Sequence, residues 1–324
     1  MKELLVTGGA GYIGSNLVAM LIEAGYHVVI VDNLSTGHRE LLHPDAIFYE
    51  GSLQDRALLD SVFARHAFEA VFHLAALSVV VESQSEPEKY AINNVEAGRV
   101  LLEVMLAHEC ARLIFSSSAS VYGVPLTLPI TEQHVREPVS VYGKTKMVFE
   151  DLLSEYETRG LRFLSFRYFN AAGASADARY GELHEPETHL IRSVFKKLSK
   201  NEAVEVYGTD YDTPDGTCLR DYLHVTDIAE AHRLGLEYLV AGHENAFVNL
   251  GTETSHSVLE VVKLCARVMG TAARIRECEP RSGDVPNLLA SCDKARELLG
   301  WKATKNLQDM IESAWAFEKR HLTL

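Results

Sequence analysis

The sequence predicts an α/β fold built on buried parallel strands, and three observations predict it. A short apolar run, Leu4 to Val6, passes through the glycine-rich stretch Gly8 to Gly14 directly into a helical pattern of Ile13, Leu17, Met20 and Leu21. A second apolar run, His27 to Val31, ends in the carboxylate Asp32. Further short apolar runs, Ala46 to Glu50, Val71 to Leu74, Leu113 to Phe115 and Leu161 to Arg167, recur along the first half of the chain. They are too short for helices and read as buried strands.

The bulk numbers set limits on function. With 324 residues and 47% hydrophobic residues, the chain is long enough for one large or two modest domains with a real core. A formal charge of −14 disfavours nucleic acid as a partner, and no basic run interleaved with aromatics offsets it. Five scattered cysteines, Cys110, Cys218, Cys265, Cys278 and Cys292, show no CxxC spacing, so neither a disulfide framework nor a metal site is expected. The N-terminal run is too brief for a signal peptide, and no apolar stretch approaches the ~20 residues that span a bilayer. A cytoplasmic protein that binds a metabolite, with no membrane or nucleic-acid partner, is the expectation.

The first turn carries the first chemistry. Gly9, Gly11 and Gly14 satisfy GxGxxG, and Gly8, Gly11 and Gly14 satisfy GxxGxxG, between a strand and a helix. Glycines there let the backbone approach a pyrophosphate, and the helix N-terminus offers it unpaired N–H groups. Asp32 lies about 20 residues further on, where a carboxylate accepts from ribose hydroxyls and repels a 2′-phosphate. That favours NAD over NADP, and outweighs the contrary suggestion of Arg39.

The remaining reactive groups cluster around Tyr142-Gly143-Lys144-Thr145-Lys146. Met147, Val148, Leu152 and Leu153 follow at helical spacing, so Tyr142 and Lys146 share one face while Lys144 points elsewhere. An ammonium beside a phenol favours the phenolate, which makes the pair a base able to take a proton from an alcohol. Twenty-four residues upstream, a strand delivers the hydroxyl of Ser118 to a loop, completing a Ser, Tyr, Lys set. His73, on a strand, reads as a packed histidine.

These motifs resemble those of the extended short-chain dehydrogenase/reductase superfamily, and the carboxy-terminal ones narrow the resemblance. The stretch Gly208 to Val225 is similar to the GxDYxTxDGTxxRDYxHV pattern of the UDP-glucose 4-epimerase family; Arg167 to Gly173, His184 to Leu190 and Arg281 to Asp284 resemble its RYFNxxG, HEPETHL and RxGD segments. The resemblance extends from Gly8 to Trp301. It implies a doubly wound parallel sheet carrying NAD in residues 1–174, and a smaller mixed α/β domain for the UDP-sugar in residues 175–324. Segments near 225–255 would return to the first domain.

Carried over position by position, the resemblance implies Ser118, Tyr142 and Lys146 as catalytic, with Lys146 also on the cofactor ribose. The other cofactor contacts would be Gly8, Gly11, Tyr12, Ile13, Gly14, Asp32, Asn33, Ser35, Thr36, Gly37, Ser52, Leu53, Leu74, Ala75, Ala76, Asn94 and Phe169. Besides Ser118 and Tyr142, the substrate would meet Asn170, His189, Leu190, Tyr207, Arg220, Arg281 and Asp284, the two arginines gripping its diphosphate.

The implied reaction is 4-epimerisation of UDP-glucose and UDP-galactose through a transient 4-keto sugar, by a homodimer. The alternatives are UDP-N-acetylglucosamine or UDP-arabinose as substrate, and more remotely a dehydratase or a non-catalytic NAD sensor. A dehydratase needs an Asp-Glu pair after the serine, where this chain has Ala119 and Ser120. Departures from the pattern are Ser52 for the usual adenine-contacting Asp, Ser78 for a frequent lysine, and Leu288 where an aromatic closes the sugar pocket of some relatives.

Overall fold

Seven short strands, hydrogen-bonded side by side in one sheet, form the platform on which everything else is arranged. The computed structural model describes residues 2–185, 187–281 and 284–322. In chain order, β1 (Glu3–Thr7), α1 (Tyr12–Glu23), β2 (His27–Asp32), β3 (Ile47–Glu50), α2 (Arg56–Arg65) and β4 (Phe68–His73) make the first crossover units. They are followed by α3 (Val80–Ser85), α4 (Pro87–Ala91), a wider π-type turn over Ile92–Glu96, α5 (Ala97–Ala107), β5 (Arg112–Ser118), α6 (Val141–Glu157) and β6 (Arg162–Tyr168).

The second half contributes β7 (Asn170–Ala172), α7 (Leu190–Ser199), β8 (Val204–Tyr207), β9 (Leu219–His224), α8 (Val225–Val240) and β10 (Ala246–Leu250). The chain ends with β11 (Ser255–Ser257), α9 (Val258–Met269), β12 (Ile275–Cys278), β13 (Asn287–Leu288), α10 (Asp293–Leu299) and α11 (Leu307–Leu322).

The main sheet has the order β10-β6-β5-β4-β1-β2-β3, and every pairing in it is parallel. The order reverses direction between β1 and β4, and that switch point opens a crevice at the carboxyl ends of the strands. Parallel strands are covered on both faces, so their side chains are apolar almost without interruption. One face packs Leu4, Val6, Val28, Ile30 and Phe72 against α1 and α8; the other packs Leu5, Val29, Val71, Leu113 and Phe115 against residues of α2, α5 and α6.

Val225–Val240 and Ala246–Leu250 thus belong to this layer, with β10 as the edge strand on β6. A third core, built on Phe195, Tyr222, Val262 and Ile311, holds α7, α9 and α11 together over the smaller sheets β11-β9-β13, with β7 on β9, and β12-β8. The Tyr12 hydroxyl donates to the Gly173 carbonyl at 2.6 Å, tying the start of α1 to the loop that leads into this part.

Candidate active site

The crevice at the switch point holds a cavity of about 400 Å³, and its floor is built from both halves of the chain. Gly8 adopts φ +75°, and a Cβ there would come within 2.6 Å of the Ala75 nitrogen. Gly14 is tighter still, with a Cβ meeting the Gly8 carbonyl oxygen at 2.0 Å. Gly11 caps α1 with no side chain on the first-turn N–H groups, so these remain directed at an incoming anion. This cradle fits a dinucleotide pyrophosphate.

At the end of β2, Asp32 accepts from Ala10 N at 3.0 Å and from Leu34 N at 2.8 Å. Each oxygen keeps a free lone pair for a ribose hydroxyl. Burial raises its pKa, and the two backbone donors oppose the rise. Arg39, the residue that could have argued for a 2′-phosphate, is paired with Glu50 and lies over the Phe48 ring. Ser52 uses its hydroxyl to accept from Gln54 N at 3.2 Å, and it still lines the cavity.

On the opposite wall, Ser140 caps α6 by accepting from Gly143 N at 3.0 Å, and Tyr142 N donates to Ser83 Oγ at 3.1 Å. Gly143 has a packing reason: a Cβ would approach the Ser120 carbonyl oxygen to 2.4 Å. Its absence lets α6 seat against the turn Ala119–Val121, which brings Tyr142 to Ser118. The Ser118 hydroxyl accepts from Ser120 N at 3.1 Å, leaving its own proton to donate. Lys146 is buried, donates from Nζ to the Ser116 carbonyl at 2.7 Å, and stands 5.9 Å from the centre of the Tyr142 ring.

The electrostatics differ from the expectation of a cheaply ionised phenol. Burial pushes the Tyr142 phenol up to about 12, with Ser118 pulling the other way. Burial also pushes the Lys146 ammonium down to about 7, against the opposing pull of Glu150. The sequence spacing places the two groups on one face but says nothing of desolvation, which dominates here because Lys146 turns its charge toward β5. His73 is a packed histidine: burial, then Lys146, push it down to about 3, and its Nδ1 meets Thr7 Oγ1 at 2.8 Å.

The cavity gathers most of the expected residues: Gly8, Gly11, Tyr12, Ile13, Gly14, Asp32, Asn33, Ser35, Thr36, Gly37, Ser52, Leu53, Leu74, Ala75, Ala76 and Phe169. Ser118, Tyr142, Lys146, Asn170, His189 and Leu190 join them. Asn94 stands apart from this set. Its amide is spent on both backbone groups of Leu77, at 2.9 Å each, and on Thr145 Oγ1 at 3.1 Å. The π-type turn directs its neighbour Asn93 into the cavity instead.

Tyr207, Arg220, Arg281 and Asp284 form a separate group beside β9. The Arg281 guanidinium lies 4.0 Å from the Tyr207 ring centre, and Arg220 donates to the Val285 carbonyl at 2.6 Å and faces Asp284 at 3.5 Å. Two strands connect this group to the cavity: β9 carries both Arg220 and the cavity residue Tyr222, which pairs with Asn170 on β7. Pro186 of the HEPETHL segment, and Ser282 and Gly283 of the RSGD segment, lie outside the described residues.

Helix α11 and Glu182 are among the contributors that no sequence motif marks. Helix α11 sends Ala314, Phe317 and Glu318 to the cavity wall. Near α1, Glu182 Oε1 accepts from His184 Nδ1 at 3.0 Å and from His189 Nδ1. Burial works against the His189 imidazolium, but Glu182 and Glu187 outweigh it and raise its pKa. These ligand atoms lie within 4.8 Å of one another, a spacing open to a metal ion, yet their mutual hydrogen bonds already satisfy them as an ion-paired cluster.

Residues 4–251 match the model of the NAD dependent epimerase/dehydratase family. The chain belongs to this family. Among its relatives, the UDP-glucose 4-epimerase of Halalkalibacterium halodurans is 43% identical over 321 residues, covering 98% of this chain and 96% of that protein. The structure of UDP-glucose 4-epimerase from Brucella ovis in complex with NAD superposes with a TM-score of 0.94 at 42% identity, covering 98% of both chains. A UDP-glucose-4-epimerase from Stenotrophomonas maltophila with bound NAD and formylated UDP-arabinopyranose gives a TM-score of 0.96 at 36% identity, covering 100% of this chain and 99% of that one. No described helix is long and apolar enough to cross a membrane.

Proposed function

We propose that this protein is an NAD-dependent UDP-glucose 4-epimerase, interconverting UDP-glucose and UDP-galactose. The observation that carries the reading is the meeting of Ser118, Tyr142 and Lys146 at one wall of a cavity whose other wall is the glycine cradle and Asp32. When bound, NAD supplies a reversible hydride acceptor and a positive ring at that wall. Residues 1–174 would hold it, and residues 175–324 the UDP-sugar, with the segment near 225–255 packed on the first part.

Tyr142 takes the proton of the sugar 4-hydroxyl as the C4 hydride would pass to the bound NAD, and gives that proton back to the 4-oxygen when the hydride would return to the other face of the turned 4-keto sugar. Ser118, its oxygen engaged by Ser120 N, donates to the same sugar oxygen and steadies the negative charge that develops there. Lys146 as an ammonium within about 6 Å of the phenol favours phenolate. Arg220 and Arg281 grip the diphosphate, Tyr207 and Asp284 face the uridine, and Asn170, His189 and Leu190 complete the substrate contacts. Arg220→Met should raise KM for UDP-galactose by about 10-fold or more, the loss of one charge-assisted contact, while kcat stays within a few-fold. An unchanged KM removes Arg220 from the diphosphate site.

Incubation with UDP-galactose and no added acceptor tests the reaction directly. Formation of UDP-glucose supports an epimerase; a keto-deoxy sugar indicates a dehydratase, and no conversion a sensor. A broader substrate range has one specific support. Leu288 packs on the cluster of Ala119, Val121, Tyr122 and Ile130, and it is smaller than the aromatic that closes the pocket of some relatives. Turnover of UDP-N-acetylglucosamine is therefore expected, and its absence at high enzyme concentration refutes the wider pocket. UDP-arabinose completes the substrate panel.

The protein would act in the cytoplasm, where its five free cysteines stay reduced. Its expected state is a homodimer, for which light scattering should report twice the 36.0 kDa of one chain.

A further inference from the structure

One helical turn beyond Lys146 lies Glu150, a carboxylate with 0% exposure. It accepts from Arg167 Nε at 2.8 Å and Nη2 at 2.7 Å, from Ser117 Oγ at 2.7 Å, from Ser165 Oγ at 3.3 Å and from Arg136 Nη1 at 3.2 Å. Arg167, 3% exposed, also donates to Tyr122 Oη at 2.9 Å, and Tyr122 donates to Asn249 Oδ1 at 2.6 Å. The carboxylate therefore ties α6 to the ends of β5 and β6, next to Ser118 in one strand and Tyr168 in the other.

Apolar side chains of similar volume would hold such a junction about as well, because two charges lose their hydration when they are buried. A charge kept there points to a role for the charge itself. The groups facing Lys146 show what that role is. From β5 come the Ser116 carbonyl and the Phe115 ring, 4.8 Å from Nζ. From β4 comes His73, uncharged at neutral pH. His232 of α8 reaches Ser116 Oγ at 3.3 Å and is also held neutral by burial, while Tyr168 of β6 keeps its proton. Tyr142 stands one turn back on α6. Among these described neighbours, Glu150 is the anion.

We propose that Glu150, locked by Arg167, is a positioning residue for the reaction: its fixed carboxylate holds Lys146 as the ammonium that Tyr142 needs to act as a base. This rests on the epimerase reading above. Without the carboxylate, Lys146 loses its proton more readily, the phenolate loses its cationic neighbour, and Tyr142 ionises only at higher pH.

The test compares pH profiles of kcat/KM for the parent, Glu150→Gln and Glu150→Asp, with thermal unfolding and bound NAD measured on each. In Glu150→Gln the acidic limb should move toward alkaline pH by about one unit, with a loss of about 10-fold at neutral pH. Glu150→Asp keeps the charge, so its limb should stay near the parent's even if its Tm falls. Difference absorbance of tyrosinate, referenced to Tyr142→Phe, should follow the same order without any turnover. Where Glu150→Gln does not fold, Glu150→Gln/Arg167→Met removes both buried charges and should show the same direction of shift. Superimposable limbs, with only Tm changed, overturn the proposal, as does an equal shift in Gln and Asp variants. A parent that converts no UDP-sugar fails the epimerase reading instead, before any variant is compared.

Discussion

Tyr142→Phe is expected to lower kcat for UDP-galactose by on the order of 10²–10⁴-fold, the range general acid–base groups contribute, while UDP still binds. The phenyl ring keeps the packing of α6 against the turn Ala119–Val121, since that contact is made by Gly143 and backbone atoms. Only the hydroxyl beside Ser118 is removed, so the lost free energy belongs to the transition state and not to the bound ground state. Lys144→Ala is the matched control, because Lys144 is exposed on the far side of the same helix and should leave turnover unchanged. Steady-state rates and calorimetric UDP binding on both variants check this. A near-normal rate in Tyr142→Phe, or an equal loss in Lys144→Ala, contradicts the assignment of the base.

The features that the sequence made legible are those fixed by neighbouring residues. Gly8 to Gly14 between an apolar run and a helical pattern defines the cradle locally, and Asp32 follows at a distance set by one helix and one strand. The i, i+4 relation of Tyr142 and Lys146 is likewise a property of one helix. What stayed hidden depends on contacts between distant segments. Helix α11 reaches the cavity only because the third core docks it there, and Arg167 and Asn249 complete a network begun at Glu150 from other strands. The resemblance points to Asn94, while the π-type turn Ile92–Glu96, which no sequence pattern announces, is what sets Asn93 on the cavity wall and Asn94 behind it. The ionisation of Tyr142 and Lys146 is legible only in part for a related reason: proximity of charges is readable from spacing, whereas desolvation is a property of the whole cavity.

The glycine cradle separates two requirements that a single variant would confuse, folding and cofactor binding. In Gly14→Ala the new methyl would lie 2.0 Å from the Gly8 carbonyl oxygen and 2.9 Å from the Gly9 Cα, both backbone atoms that cannot rotate away. The turn must open, so both stability and NAD should be lost: overpacking of this kind costs about 1–3 kcal/mol, and the displaced N–H groups no longer converge on a pyrophosphate. In Gly11→Ala the nearest atom is the Gly8 carbonyl oxygen at 3.3 Å, a tight contact that a shift of a few tenths of an ångström relieves, so Tm should fall much less than in Gly14→Ala. The methyl would nevertheless stand where the backbone must approach the phosphates, and NAD affinity should fall by about 10-fold or more. Thermal unfolding and the NAD released on denaturation distinguish the two: Gly14→Ala low in both, Gly11→Ala low in NAD with most of its Tm kept. Retention of full NAD by Gly11→Ala would show that the pyrophosphate does not lie on the N-terminus of α1, and would move the cofactor out of the cavity that places it beside Tyr142.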